Sequence, residues 1–111
     1  MTITDEKMRE NLGKTKNYSL VVLKRGPKYE NKPEVQAVVW EHGRRNMELR
    51  EEGKLSVVCP VIDGTEISGI GIFSTSLEET TAIMDGDPGV QAGIFVYEVH
   101  PCRSFPGDAL P

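Results

Sequence analysis

Residues Lys32–Leu55 read KPEVQAVVWEHGRRNMELREEGKL, and this stretch decides the fold. Val35, Val38, Val39, His42, Asn46 and Leu49 recur at helical spacing and define one mostly apolar stripe. Pro33 suits a first helical turn, where its missing N–H costs nothing. Gly53 suits the left-handed position just past a helix end. The stretch is therefore predicted as the one long helix of the chain. Glu41 and Arg45 are spaced to pair along its polar side. Gly43 in the helix interior costs about 1 kcal/mol relative to alanine, and close packing is the expected reason for it.

Working outward, Tyr18–Lys24 (YSLVVLK) precedes the helix as a β-branched strand, separated from it by the loop RGPKYENK with its Gly26-Pro27 break. After the helix, Leu55–Cys59 (LSVVC) is a second strand ended by Pro60, and Asp63-Gly64 marks a hairpin turn. Glu66–Ser74 (EISGIGIFS) is a third strand. Its alternation puts Ile67, Gly69, Gly71 and Phe73 on one face, and the two glycines leave a bare patch where a ligand or another backbone can approach. Ser76-Leu77-Glu78-Glu79 forms a capping box opening a short second helix that ends at Gly86, with Leu77, Thr81 and Met84 or Ile83 expected on its buried side. Asp87-Pro88-Gly89 reads as a turn, and Gly93–Val99 (GIFVYEV) as the last strand.

The order β-α-β-β-α-β is the ferredoxin-like unit: an α+β fold with a four-stranded antiparallel sheet and two helices on one face. Residues 1–17 are read as a polar N-terminal arm in which Thr4 caps a short helix closed by Gly13. Residues 18–102 are the domain, and 103–111 a tail that wraps the surface or frays. The strands are apolar on both faces, so the face without helices needs cover. The economical cover is a second copy packed sheet to sheet in a homodimer.

Composition narrows the function. The chain has 111 residues, enough for one core, and carries 13 basic against 17 acidic residues for a net charge of −4. That balance argues against nucleic acid or an anionic membrane as the partner. The two cysteines, Cys59 and Cys102, lack metal-site spacing, and only two histidines accompany them, so no metal is expected. No apolar run is long enough to span a membrane, and no signal peptide is apparent; reduced thiols in a cytoplasmic protein are expected.

His42 is the leading candidate for chemistry. A histidine on an apolar stripe is more often a satisfied core residue than a catalyst. As a general base it requires a carboxylate to fix its tautomer. Asp87 is the best placed carboxylate, because it follows the second helix and the two helices share a sheet face, although an Asp before proline commonly serves only its own turn. Asp85 and Asp63 are the rivals, the first facing solvent and the second serving the hairpin turn. Arg44, Arg45 and Arg50 can grip an anion but more commonly form a solvated helix face, and Trp40 suits a pocket rim.

Beyond these local readings, the chain resembles the YCII-related family of small dimeric α/β-barrel proteins over residues 18 to 102. The resemblance rests on His42, Leu49, Gly53-Lys54-Leu55, Gly64, Ser76-Leu77-Glu78-Glu79, Asp87-Pro88 and Glu98-Val99-His100-Pro101. It implies a dimer with packed sheets and a pocket holding a His42–Asp87 pair, in a family whose members mostly lack an established function. One related branch dehydrochlorinates chlorinated hydroxyquinols, and the wider superfamily includes muconolactone isomerases and small monooxygenases without cofactor. The chain departs from the family at Cys59-Pro60, where many members have Gly-Pro, and at Gly89, where an aromatic residue is frequent. The expectation is an enzyme without cofactor that abstracts a proton from a small cyclic or aromatic substrate. Its site would comprise His42 and Asp87 as the catalytic pair, and Trp40, Arg45, Gly69 and Gly71 around the ligand. The alternative is a dimer that binds a small molecule without turning it over.

Overall fold

The computed structural model describes residues 1–111. Eight elements follow in order: α1 (Asp5–Leu12), β1 (Lys16–Arg25), α2 (Pro33–Glu51), β2 (Leu55–Pro60), β3 (Ile67–Phe73), α3 (Leu77–Asp85), α4 (Pro88–Gln91) and β4 (Phe95–Ser104). The strands form one antiparallel sheet in the order β2-β3-β1-β4. This is the expected ferredoxin-like α+β arrangement, with two further helices, α1 and α4.

The long helix ends as its sequence demands. Gly53 takes φ +75°, its N–H bonds to Arg50 O, and the Lys54 N–H bonds back to Leu49 O, which together close a Schellman motif. Thr4 caps α1 through the Lys7 N–H, and Ser76 caps α3 through the Glu79 N–H. The Glu79 carboxylate lies near Lys54 Nζ at 3.7 Å.

Val21, Leu23, Leu49, Leu55, Phe73, Ile83, Met84, Ile94 and Phe95 form the core between the helices and the sheet. Ser19 is buried with them and donates its hydroxyl to Thr75 O at 2.8 Å, which satisfies the buried polar side chain on that face of β1. On α3 the buried residues are Thr80, Ile83 and Met84, whereas Leu77 and Thr81 face solvent. Ile83 and Met84 are buried as expected, but Thr80 replaces Leu77 and Thr81 on that face. Thr80 is drawn inward by the Thr75 hydroxyl at 2.6 Å, while Thr81 donates its hydroxyl to Leu77 O. The Tyr97 hydroxyl on β4 donates to Asp85 Oδ1 at 2.5 Å, tying the end of α3 to the sheet. Burial, and then the Asp85 carboxylate, push its phenol up to about 12.

Three further readings are corrected. The tail does not fray at once: β4 continues through Pro101 to Ser104, because β1 begins at Lys16 and offers partners along its whole length. Pro101 is tolerated there because β4 is an edge strand. Asp87-Pro88-Gly89 is not a simple turn but opens α4. Glu41 pairs with Arg44 at 3.1 Å rather than with Arg45.

The register defines the helix-free face. It carries Tyr18, Leu20 and Val22 from β1, Ile70 and Ile72 from β3, and Val57 and Cys59 from β2. On β4 this face is mixed rather than apolar, since Val96 is followed by Glu98 and His100. No element of the chain crosses it, and no helix is long and apolar enough to cross a membrane.

Candidate active site

Helix α2 packs beside α4, and this contact brings together two residues 45 positions apart. Lys32 enters α2 in extended conformation without a side-chain cap, and Pro33 fills the first turn. The stripe then turns His42 toward the sheet, where its ring rests on Phe95 with centroids 4.9 Å apart.

Asp87 is prepared by its own backbone. α3 ends at Gly86, and Asp87 takes an extended conformation as the cap of α4. Its Oδ2 accepts from the Gly89 N–H at 2.9 Å and the Val90 N–H at 3.2 Å. That leaves Oδ1 for His42, whose Nδ1 lies 2.7 Å away. The carboxylate is 1% exposed, and Arg45 Nη1 approaches Oδ1 at 3.9 Å. A buried carboxylate is stable only when paired and hydrogen-bonded, and Asp87 meets both conditions. Gly89 is required by this geometry: a Cβ there would lie 2.5 Å from Phe95 and 3.1 Å from Asp87 Oδ2.

The chemistry of the pair follows. Oδ1 can only accept, so Nδ1 carries the proton and Nε2 holds the lone pair in the neutral ring. His42 lines a cavity of about 340 Å³ between α2 and the glycine-bearing end of the sheet. Asn46, one turn further along α2, places Nδ2 3.3 Å from Nε2 and also lines the cavity. The arrangement offers a base of fixed tautomer, with a carboxylate behind it to stabilise an imidazolium.

Of the other expected residues, Gly69 and Gly71 line the cavity. A Cβ on Gly69 would press Cys59 O at 3.1 Å, and one on Gly71 would meet Leu55 and Phe73 at 3.2 and 3.3 Å. Trp40 is 69% exposed and does not line the cavity. Arg45 lies outside the lining too, and its guanidinium sits behind the base against Asp87 and Gly86. Gly43 does not mark close packing, because a Cβ there would meet nothing within 4 Å; it opens onto the cavity instead. Sequence reasoning placed Asn46 on the stripe without giving it a role. Its signal was the spacing of four from His42, which stacks the two side chains on one helix face. No three His, Cys, Asp or Glu side chains converge to hold a metal ion.

Fold and site together define an α+β protein of ferredoxin-like topology with a histidine–carboxylate pair facing a small cavity. Neither a protein-family model nor a curated protein sequence matches the chain. Among solved structures, it is similar to the 5-chloro-2-hydroxyhydroquinone dehydrochlorinase of Burkholderia phenoliruptrix AC1100 in complex with 2,5-dihydroxybenzoquinone. The similarity spans 75% of this chain and 90% of that one, with a TM-score of 0.53 at 19% identity. At that identity the likeness establishes the shared fold.

Proposed function

We propose that the protein is a cofactor-independent enzyme that abstracts a proton from a small cyclic or aromatic substrate, as a member of the YCII-related family. The observation that carries this reading is the 2.7 Å bond between His42 Nδ1 and a carboxylate already held by two backbone N–H groups, at the wall of a ligand-sized cavity. In the reaction, His42 Nε2 takes a proton from an activated C–H or O–H. The electron pair left behind forms a new double bond. In an elimination the leaving group departs with its bonding electrons; in an isomerisation the imidazolium returns the proton to another carbon. Asp87 stabilises the imidazolium and keeps the ring oriented. A solved protein of the same fold that holds a ring quinone is in keeping with a ring substrate here.

The test is a turnover screen of the full chain against substituted hydroxyquinols and lactones, with His42→Ala alongside. General-base loss lowers the rate by about 10²–10⁴-fold. Full turnover by His42→Ala would sink the assignment.

A second reading, a ligand-binding module without turnover, draws on Asn46. Its amide occupies the direction of the lone pair at 3.3 Å, so both ring nitrogens have protein neighbours. Asn46→Ala separates the two: a catalyst keeps or gains rate when the lone pair is freed, whereas a binding module remains silent on every substrate.

The apolar face of Leu20, Val22, Ile70, Ile72 and Val57 supports a homodimer packed sheet to sheet. A stable monomer at micromolar concentration in sedimentation velocity would remove that part of the proposal.

A further inference from the structure

The cavity has one charged anchor, and it is not on α2. Arg25 is the last residue of β1 and continues the inward face of Val21 and Leu23, so it lines the cavity while its neighbour Lys24 turns to the other face and pairs with Glu98 at 3.5 Å. Arg25 has no carboxylate partner; its guanidinium lies over the Tyr29 ring at 4.6 Å. No Asp or Glu lines the cavity, and 14 of its 22 lining residues are hydrophobic, which favours a ligand with an apolar body. Arg25 is exposed at the rim of the cavity and is the one lysine or arginine that lines it, so it is matched by an anion with an apolar body. Tyr29 contacts Phe95 with centroids 6.0 Å apart, and Phe95 contacts His42, so a row of rings leads from the guanidinium to the imidazole.

Gly43 supplies the second observation. It weakens the interior of α2 relative to alanine, and no protein atom lies near enough to require it. The space beside His42 that a side chain would fill is left to the cavity.

We propose that this cavity takes a flat ring carboxylate, with the carboxylate on Arg25 and the ring passing over Gly43 to His42. A volume of about 340 Å³ lies at the small end of ligand pockets and suits a single ring. The proposal rests on the reading of the cavity as the substrate site and adds the class of substrate and the two residues that select it.

The experiment compares two probes on one ring, 2,5-dihydroxybenzoate and neutral hydroquinone, by titration of the full chain with calorimetry and amide NMR. The glycine amides of residues 43, 69 and 71 report the site. The carboxylate is expected to bind about tenfold or more tightly than hydroquinone. Arg25→Gln should bring it down to the level of hydroquinone without changing hydroquinone itself. Gly43→Ala should weaken both probes while the Tm stays level or rises. Equal affinity for the two probes, a preference that survives Arg25→Gln, or no saturable binding of either probe overturns the proposal. His42→Ala keeps its outcome distinct from that of the proton-transfer reading. If turnover survives this change while the Arg25-dependent preference holds, the base assignment falls and the anion site stands. If turnover is lost and no preference exists, the reverse is true.

Discussion

The molecule carries two histidine–carboxylate pairs, one on each face of its sheet. His42 and Asp87 meet at 2.7 Å with side chains 11% and 1% exposed, and they come from separate elements. His100 and Glu98 meet at 3.5 Å, both about half exposed, and stand two residues apart on β4. The functional groups are the same, but their restraint differs. Asp87 is held by two backbone donors before the histidine arrives, so the imidazole has one orientation and one tautomer. Glu98 is held only by the side chains of His100 and Lys24, each at 3.5 Å. The His100 hydrogen bond and then the Lys24 charge hold its carboxyl below the usual range, yet water competes for every contact. What separates the two pairs is whether the carboxylate is fixed independently of the histidine.

This contrast can be broken by experiment. Asp87→Ala should have the largest effect, since it removes the cap of α4 and leaves the buried His42 N–H without an acceptor. A loss of roughly 2–4 kcal/mol in urea unfolding is expected, together with loss of turnover. A loss no greater than that of Glu98→Ala would erase the distinction.

Asp87→Asn is subtler. Its carbonyl oxygen can still cap α4, but its amide then faces Nδ1 and favours a proton on Nε2. Imidazole nitrogen NMR should show the opposite tautomer, with most of the stability retained; an unchanged tautomer would show that Asp87 does not set it.

His42→Ala should cost about 1–3 kcal/mol, because Asp87 Oδ1 is left with only the distant Arg45. His100→Ala should stay within about 0.5 kcal/mol of the parent chain.

The smallest effect expected concerns Tyr97, whose partner Asp85 is an intermediate case. Burial and then Asp85 push the folded phenol up to about 12 from an ordinary value of 10. The stability it confers is complete below pH 10 and lost as pH rises from 10 to about 12. Ultraviolet titration should show one late phase, absent in Tyr97→Phe; the lack of a late phase in the parent chain would contradict the burial.

Much of this was legible in the sequence, for identifiable reasons. Pro33, Gly53, Thr4 and Ser76 act through local backbone chemistry, so their caps and stops were readable without tertiary structure. The strands of the sheet and the inward turn of His42 follow from period alone. Where information is non-local the reading gave out. Thr80 and Thr81 are identical to a periodicity argument, and only Thr75 across the turn distinguishes them. A helix of four residues has no period, so α4 looked like the turn that Asp-Pro-Gly usually makes. The strand beyond Val99 depends on a partner at the opposite end of the chain. Arg25, assigned to a loop, closes β1 and lines the cavity, whereas Trp40 and Arg45 of α2 do not line it.

The long β1–β4 ribbon has a practical consequence for handling the protein. Its ten paired positions run from Lys16 opposite Ser104 to Arg25 opposite Phe95, and the cavity sits at the Arg25 end. α1 and the last residues gather at the other end, where Met8 and Leu12 lie near Phe105 and Pro106. The two poles are separated by roughly 30 Å of strand. An affinity tag, a fluorophore or a surface linker attached at either chain end is therefore carried well clear of the cavity.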